Sequence, residues 1–134
     1  MKRTIKVLVA MCLVVLLCAG TALAALPLIE GTNSGEQING TKNAEEIRGL
    51  EGSDEISDSL GADLVYGGIG EDNLIGTASD TSEDRYYGGS GEDIFQARNV
   101  PGVKDMVSCG PGTDTVYADK ADDVGGDCER VEAW

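Results

Sequence analysis

The chain contains no histidine, and this absence removes several functional classes at once. Without imidazole there is no Ser-His-Asp triad, no Cys-His pair and no histidine-ligated zinc site. Cations are also scarce, because 10 lysine and arginine residues face 24 aspartate and glutamate residues, giving a net charge of −14 over 134 residues. This excess of negative charge argues against nucleic acid or an anionic membrane surface as a partner.

Three of the ten cations lie within the first six residues, ahead of an apolar run over 7–18. Ala22-Leu23-Ala24 follows with a small-x-small cleavage pattern, so the arrangement predicts a signal peptide over 1–24. The apolar run is too short to span a membrane comfortably. A lipoprotein with a lipidated Cys18 stays open as an alternative, although the bulky residue before that cysteine disfavours it.

Cleavage after Ala24 would leave a secreted chain, 25–134, that is extracellular or associated with the cell surface. Losing three cations and no acids changes its net charge from −14 to −17. Two cysteines remain, Cys109 and Cys128. An exported chain with two thiols is expected to pair them, which predicts a disulfide.

A triad of an acidic residue, any residue and a bulky apolar residue recurs along the mature chain. Its eleven copies follow one another at spacings of 9, 9, 9, 9, 12, 9, 12, 9, 8 and 7 residues. The acidic members are Glu36, Glu45, Asp54, Asp63, Asp72, Asp84, Asp93, Asp105, Asp114, Asp122 and Glu129. The apolar members are Ile38, Ile47, Ile56, Val65, Leu74, Tyr86, Phe95, Val107, Val116, Val124 and Val131. Chance does not produce four consecutive nines, so the chain is a repeat array.

Glycines precede the acidic residue at fixed offsets in several of these units. Residues 67–75, GGIGEDNLI, and 88–96, GGSGEDIFQ, fit the nonapeptide G-G-x-G-x-D-x-U-x in full, where U is bulky and apolar. Residues 49–56 and 109–116 fit most of it. The chain therefore resembles the RTX, or haemolysin-type, calcium-binding repeat family over nearly all of its mature length.

The resemblance implies an all-β fold, a right-handed parallel β-roll (a β-solenoid) in which two nonapeptides complete one coil. Alternate glycines permit the positive φ angles of a six-residue turn. Only the central apolar residue of each short strand points inward, so the repeats must stack to make a core. We expect one domain over 25–134, with repeats over 31–108 and a disulfide-stapled C-terminal cap over 109–134. Trp134 is expected to cover the open end of the core.

The turns of such a roll fall alternately on two edges. The first edge comprises the turns 31–36, 49–54, 67–72, 88–93 and 109–114. The second edge comprises 40–45, 58–63, 76–84 and 97–105. Four of the first-edge turns keep glycine at the fourth position and aspartate at the sixth, whereas the second-edge turns lack glycines or carry three-residue insertions.

The resemblance implies Ca²⁺ as the bound cofactor, held between turns two repeats apart by carbonyl oxygens and sixth-position carboxylates. Calcium is expected mainly on the first edge. The predicted calcium residues are Gly49, Gly52, Asp54, Gly67, Gly68, Gly70, Asp72, Gly88, Gly89, Gly91, Asp93, Gly112 and Asp114. Weaker candidates are Glu36, Asp63, Asp84 and Asp105. Four further acids lie outside the repeat register and are expected at the solvated surface: Asp58, Asp80, Asp119 and Asp127.

We expect no enzyme activity, because the repeat accounts for each paired acid and no catalytic domain accompanies it. A thin core and a charge of −17 predict a chain that is disordered without calcium and folded with it. The expected function is a secreted structural or surface module with no membrane span. Two alternatives stay open, an accessory subunit of a separately encoded secreted hydrolase and an adhesion or matrix component. The second would bind a protein or glycan partner beside Tyr66 and Tyr87, which share a sheet.

Overall fold

The computed structural model describes residues 24–97 and 102–133. The predicted signal peptide, except for Ala24, lies outside these residues, as do Cys18 and Trp134. The described residues form twelve short β-strands and no helix, which confirms the all-β prediction. They accordingly contain no helix long and apolar enough to cross a membrane.

The strands form two parallel six-stranded sheets, one from the odd-numbered strands and one from the even-numbered strands. The first sheet contains β1 (Leu28–Glu30), β3 (Glu46–Glu51), β5 (Leu64–Ile69), β7 (Arg85–Ser90), β9 (Met106–Ser108) and β11 (Asp123–Val124), in that spatial order. The second sheet contains β2 (Gln37–Asn39), β4 (Glu55–Ser57), β6 (Asn73–Ile75), β8 (Ile94–Ala97), β10 (Thr115–Ala118) and β12 (Arg130–Ala133). Consecutive strands therefore alternate between the sheets.

Strand register shows that two repeats complete one coil. Ile38 pairs with Ile56 in the second sheet, two units further along the chain. Leu74 pairs with Phe95 in the same sheet, across a coil that is three residues longer. The apolar positions remain aligned before and after the three extra residues. The turn therefore accommodates these residues without a change in strand register. The predicted parallel β-roll is confirmed.

The core between the sheets consists of the predicted apolar positions. Nine of the eleven are buried: Ile38, Ile47, Ile56, Val65, Leu74, Tyr86, Phe95, Val107 and Val116. Val124 is partly buried against this cluster. Val131 was expected to point inward but is 46% exposed, since its strand, β12, ends the second sheet and no further described coil covers it.

The predicted disulfide between Cys109 and Cys128 is confirmed, with their Cα atoms 5.3 Å apart. Cys109 is fully buried at the start of a first-edge turn, and Cys128 packs partly buried against the core. The bridge fastens the segment before β12 to the preceding coil. It closes a loop with a sequence separation of 19 residues near the end of the solenoid.

The glycines at the fourth turn position stack backbone against backbone. Gly70 and Gly91 both have φ of +143°, which disfavours any residue with a side chain. A Cβ on Gly91 would collide with the carbonyl oxygen of Gly70, and a Cβ on Gly70 with that of Gly52. The spacing of successive first-edge turns therefore depends on the absence of side chains at this position.

We predict that Gly91→Ala lowers the free energy of unfolding by about 2–4 kcal/mol, because the methyl group combines backbone strain with overpacking. Gly126→Ala is the control, since a Cβ there meets nothing within 4 Å. The control should change stability by less than about 0.5 kcal/mol. Urea denaturation in saturating calcium measures both, and equal stabilities for the two variants would contradict the stacking argument.

We predict that the double variant Cys109→Ala/Cys128→Ala loses about 3 kcal/mol of stability, the chain-entropy value for a loop of this size. Urea denaturation of the oxidised protein and of the variant, both in calcium, gives the difference. Mass spectrometry of the oxidised protein should find no free thiol at Cys109 or Cys128. Labelling of both cysteines without reductant would show that the bridge does not form in solution.

Candidate metal centre

A ladder of buried carboxylates runs along the first edge. Each sixth-position carboxylate accepts a hydrogen bond through Oδ1 from the backbone N–H of the sixth-position residue one coil earlier. Asp72 accepts from Asp54 at 2.8 Å, Asp93 from Asp72 at 2.9 Å and Asp114 from Asp93 at 2.8 Å. Asp54 accepts in the same way from Glu36 at 2.8 Å. One oxygen of each aspartate is thereby used to join adjacent coils.

The other oxygen of these aspartates has no partner within the protein. Oδ2 of Asp54, Asp72, Asp93 and Asp114 is buried and accepts no hydrogen bond. Such burial disfavours the charged form, so it raises the pKa of Asp93 to about 6 and also raises the pKa of Asp72 and of Asp114. Buried oxygens without donors are costly, and a bound cation is one way in which they are satisfied.

Three of these four free oxygens, those of Asp54, Asp72 and Asp93, each face a gap that glycine leaves open. A Cβ added to Gly67 would lie 2.5 Å from Asp72 Oδ2 and 2.6 Å from the carbonyl oxygen of Gly88 in the next coil. Gly49 and Gly88 sit in the same relation to their own aspartates and to the next coil. A carboxylate oxygen and a carbonyl oxygen therefore converge on one space, and Ca²⁺ prefers oxygen donors of both kinds.

These three gaps lie between successive turns of the first edge, where calcium is mainly expected. A fourth gap, at Gly31, lies between Glu36 Oε2 and the Gly49 carbonyl oxygen, each 2.8 Å from an added Cβ. Here, however, Thr32 donates its backbone N–H to Oε2 at 2.8 Å and its hydroxyl to Oε1. Because both glutamate oxygens already accept hydrogen bonds, this gap is the poorer cation site.

The second edge has the same carboxylate ladder. Asp63 accepts from the N–H of Glu45 at 2.8 Å, Asp84 from Asp63 at 2.8 Å and Asp105 from Asp84 at 2.9 Å. The ladder continues from Asp63 to Asp105 although the turns before Asp84 and Asp105 carry three-residue insertions. Burial raises the pKa of Asp63 to about 7 and that of Asp84 to about 8, and neighbouring carboxylates add to both shifts.

The edges differ at the first turn position. On the second edge, a Cβ on Gly40 would meet the backbone of Asp58 and the Ile47 side chain, and one on Gly76 would meet the Tyr86 hydroxyl at 2.7 Å. No sixth-position carboxylate is among the three atoms nearest to an added Cβ at either glycine, in contrast to Gly49, Gly67 and Gly88. The gap between a carboxylate and a carbonyl therefore recurs along the first edge and is not repeated at these two turns.

The expectation that off-register acids are solvated is wrong for three of them. Asp58, Asp80 and Asp119 are buried, and Asp127 alone is exposed. Asp58 occupies the first turn position, which points inward, and its carboxylate accepts hydrogen bonds from Tyr86 and from the Thr77 N–H. The signal in the sequence was the position itself, since an aspartate in place of an inward-facing glycine cannot reach water.

Two other off-register aspartates organise the turns. Asp80 lies in the inserted turn 76–84, where Oδ1 accepts the N–H groups of Thr81 and Ser82 and Oδ2 accepts that of Gly61 in the preceding coil. Asp119 Oδ1 accepts the N–H of Ala121 at 2.6 Å. The hydrogen bonds of Asp80 hold the longer turn against its neighbour.

The predicted glycines lie in the first-edge turns and in the ends of β3, β5 and β7 that lead into those turns. Gly68 and Gly89 at the second position have φ of +120° and +107°, and Gly52 at the fourth position has φ of +114°. A Cβ on Gly112 would collide with the carbonyl oxygen of Gly91. All four lie in first-edge turns, and their role in holding an ion stays a prediction.

Comparison with known proteins gives one family. Residues 39–74 and 48–82 match the model described as RTX calcium-binding nonapeptide repeat (4 copies). Neither the comparison with curated proteins nor the comparison with solved structures found a match. The matched segment contains turns from both edges, including the full nonapeptide at 67–75. The similarity to RTX calcium-binding nonapeptide repeats thus covers residues 39–82, less than half of the chain.

Proposed function

We propose that the chain is a secreted calcium-binding structural module whose folding is coupled to calcium. One observation carries the proposal: four buried carboxylate oxygens on the first edge have no hydrogen-bond partner, and three of them face a carbonyl oxygen of the next coil. Calcium takes six to eight oxygen ligands, which such pairs supply together with further carbonyls or water. We assign the chain no catalytic role.

Charge explains why folding and binding are coupled. The mature chain carries a net charge of −17, and folding buries a row of its carboxylates along each edge. The described residues form two ion pairs, Arg48–Glu46 and Lys104–Asp123, and neither includes a sixth-position aspartate. Neither pair therefore neutralises the first-edge carboxylates of Asp54, Asp72, Asp93 and Asp114. A divalent cation between two coils neutralises carboxylates and joins the coils in one step.

The strong sites of this proposal lie between successive first-edge turns. They are formed by the pairs Asp54 with Asp72, Asp72 with Asp93, and Asp93 with Asp114, each with the turn glycines around it. Glu36 with Asp54 forms a weaker fourth site, because Thr32 already satisfies the glutamate. On this assignment Asp72 and Asp93 each border two strong sites. Residues of the second edge, such as Asp63 and Asp105, border none of these strong sites.

A second candidate function is adhesion, and one observation favours it. Tyr66 and Tyr87 are a register pair on neighbouring strands, and their rings stack with centroids 5.0 Å apart and planes 15° apart. The Arg48 guanidinium lies 6.0 Å from the centre of the Tyr66 ring. Cross-strand packing is a sufficient reason for the stack. A retained partner, lost on Tyr66→Ala/Tyr87→Ala in a pull-down from culture supernatant, would establish the adhesive role instead.

We predict that far-ultraviolet circular dichroism of the mature chain changes from a disordered to a β-rich spectrum on calcium addition. The midpoint should lie in roughly the 10⁻⁴ to 10⁻³ M range typical of extracellular calcium modules. Magnesium should substitute poorly, because it demands a tighter octahedral shell. If the calcium-free protein shows a full β-sheet spectrum and unfolds cooperatively on heating, folding is not coupled to calcium.

We predict that Asp72→Ala and Asp93→Ala each remove more bound ions than Asp63→Ala or Asp105→Ala does. The physical reason is that each of the first two aspartates serves two strong sites. Isothermal titration calorimetry with calcium compares the stoichiometry of the four variants with that of the unmodified chain. Equal losses in all four variants would mean that both edges bind alike.

A further inference from the structure

We propose that the second edge holds one additional calcium site, of a composition that the nonapeptide does not encode, formed by Asp58, Asp63 and Asp84. The repeat pattern accounts for the sixth-position residues Asp63 and Asp84. It has no role for Asp58, which replaces the first glycine of the turn 58–63. The site shares only the identity of its ion with the first-edge sites proposed above, and none of their residues.

The three carboxylates form a compact cluster. Each offers one oxygen, and these oxygens all lie within 4.8 Å of one another. The side chains are closed off from solvent, with Asp58 0%, Asp63 2% and Asp84 1% exposed. Asp58 and Asp63 come from the two ends of one turn, and Asp84 comes from the next coil. The cluster thus spans two coils, as a bridging ion requires.

Hydrogen bonding leaves oxygens of this cluster unused. Asp63 Oδ1 accepts the N–H of Glu45, and Asp84 Oδ1 accepts the N–H of Asp63. Oδ2 of Asp63 and Oδ2 of Asp84 are buried and accept nothing. Two unpartnered oxygens therefore belong to a closed cluster of three acids, an arrangement that calls for a positively charged ligand.

Tyr86 holds the third carboxylate in place. Tyr86 is an inward apolar position of β7, and its hydroxyl donates a hydrogen bond to Asp58 Oδ2. The Thr77 N–H donates to Asp58 Oδ1 at 3.1 Å. Gly76 makes room for the hydroxyl, because a Cβ there would lie 2.7 Å from it. Each Asp58 oxygen keeps a second lone pair that a cation can use.

The electrostatic surroundings of the cluster are acidic. Neither ion pair of the described residues includes a cluster member. Burial raises the pKa of Asp58 to about 6, of Asp63 to about 7 and of Asp84 to about 8, and the nearby Asp80 carboxylate adds to each shift. Without a cation these charges oppose one another, whereas a divalent ion stabilises all three in the ionised form.

The donor set selects the class of ion. Three carboxylates without a cysteine or histidine suit a hard cation such as Ca²⁺ and do not suit zinc, which favours nitrogen and sulfur donors. Calcium also tolerates the irregular geometry of two carboxylates from one turn and one from the next coil. Backbone carbonyls or water would complete the shell.

The test counts bound calcium by isothermal titration calorimetry. Asp58→Asn keeps the shape of the side chain, and its amide oxygen still accepts from the Thr77 N–H. Its amide NH2 can donate to the Tyr86 hydroxyl, which reverses the direction of that hydrogen bond. We expect this variant to bind one ion fewer than the unmodified chain. Glu55→Gln is the matched control, since it removes one negative charge from an exposed position of β4 and should leave the count unchanged.

A second variant, Asp84→Asn, keeps the proposal testable if Asp58→Asn does not fold. It should also lose one ion, and the double variant Asp58→Asn/Asp84→Asn should lose the same single ion, because both residues hold it. A full β spectrum in saturating calcium shows that each variant folds. If Asp58→Asn binds as many calcium ions as the unmodified chain but has a lower melting temperature, the Asp58 carboxylate is purely structural. That result would overturn the proposal. If the unmodified chain binds no calcium at all, that result contradicts the proposed function rather than this additional site.

Discussion

The solenoid depends on one repeated hydrogen bond, from a backbone N–H to a buried carboxylate one coil away. This bond joins successive coils at the turns, beside the backbone ladders of the strands, and it does so with a side chain that carries charge. The same contact that stacks the coils therefore leaves one oxygen of most of these aspartates buried without a donor. A neutral acceptor would stack the coils at a lower electrostatic cost. The choice of aspartate links the architecture to a cation.

Periodicity made the fold predictable from sequence, and the reasons are physical. Ile38 and Ile56 are inward because strand alternation and a nine-residue unit leave no other face for them. The prediction that Val131 points into the core was wrong, because the register of the repeat does not say which coil is left uncovered. The pairing of Cys109 and Cys128 was predictable because they are the two cysteines that follow the predicted signal peptide.

The candidate sites were only partly predictable. Sixth-position aspartates such as Asp72 follow from the motif, and the structure adds the gap beside Gly67 that gives the carboxylate something to face. The burial of Asp58 was missed because this residue departs from the motif. A residue that departs from a repeat motif is readily interpreted as a variable surface position. Its burial depends on long-range contacts, above all a hydroxyl donated from a residue 28 positions later. Contacts of that kind are invisible to local periodicity.

The gaps along the first edge are arranged so that neighbours share an aspartate. Asp72 supplies Oδ2 to the gap at Gly67, and its Oδ1 accepts the N–H of Asp54 on the side of the preceding gap. An ion in one gap would therefore fix the position of an aspartate that also borders the neighbouring gap. Units that interact only with their neighbours in a row behave as a one-dimensional chain, in which order spreads from wherever it begins. If calcium fills these gaps as proposed, its concentration would set how many successive coils are ordered.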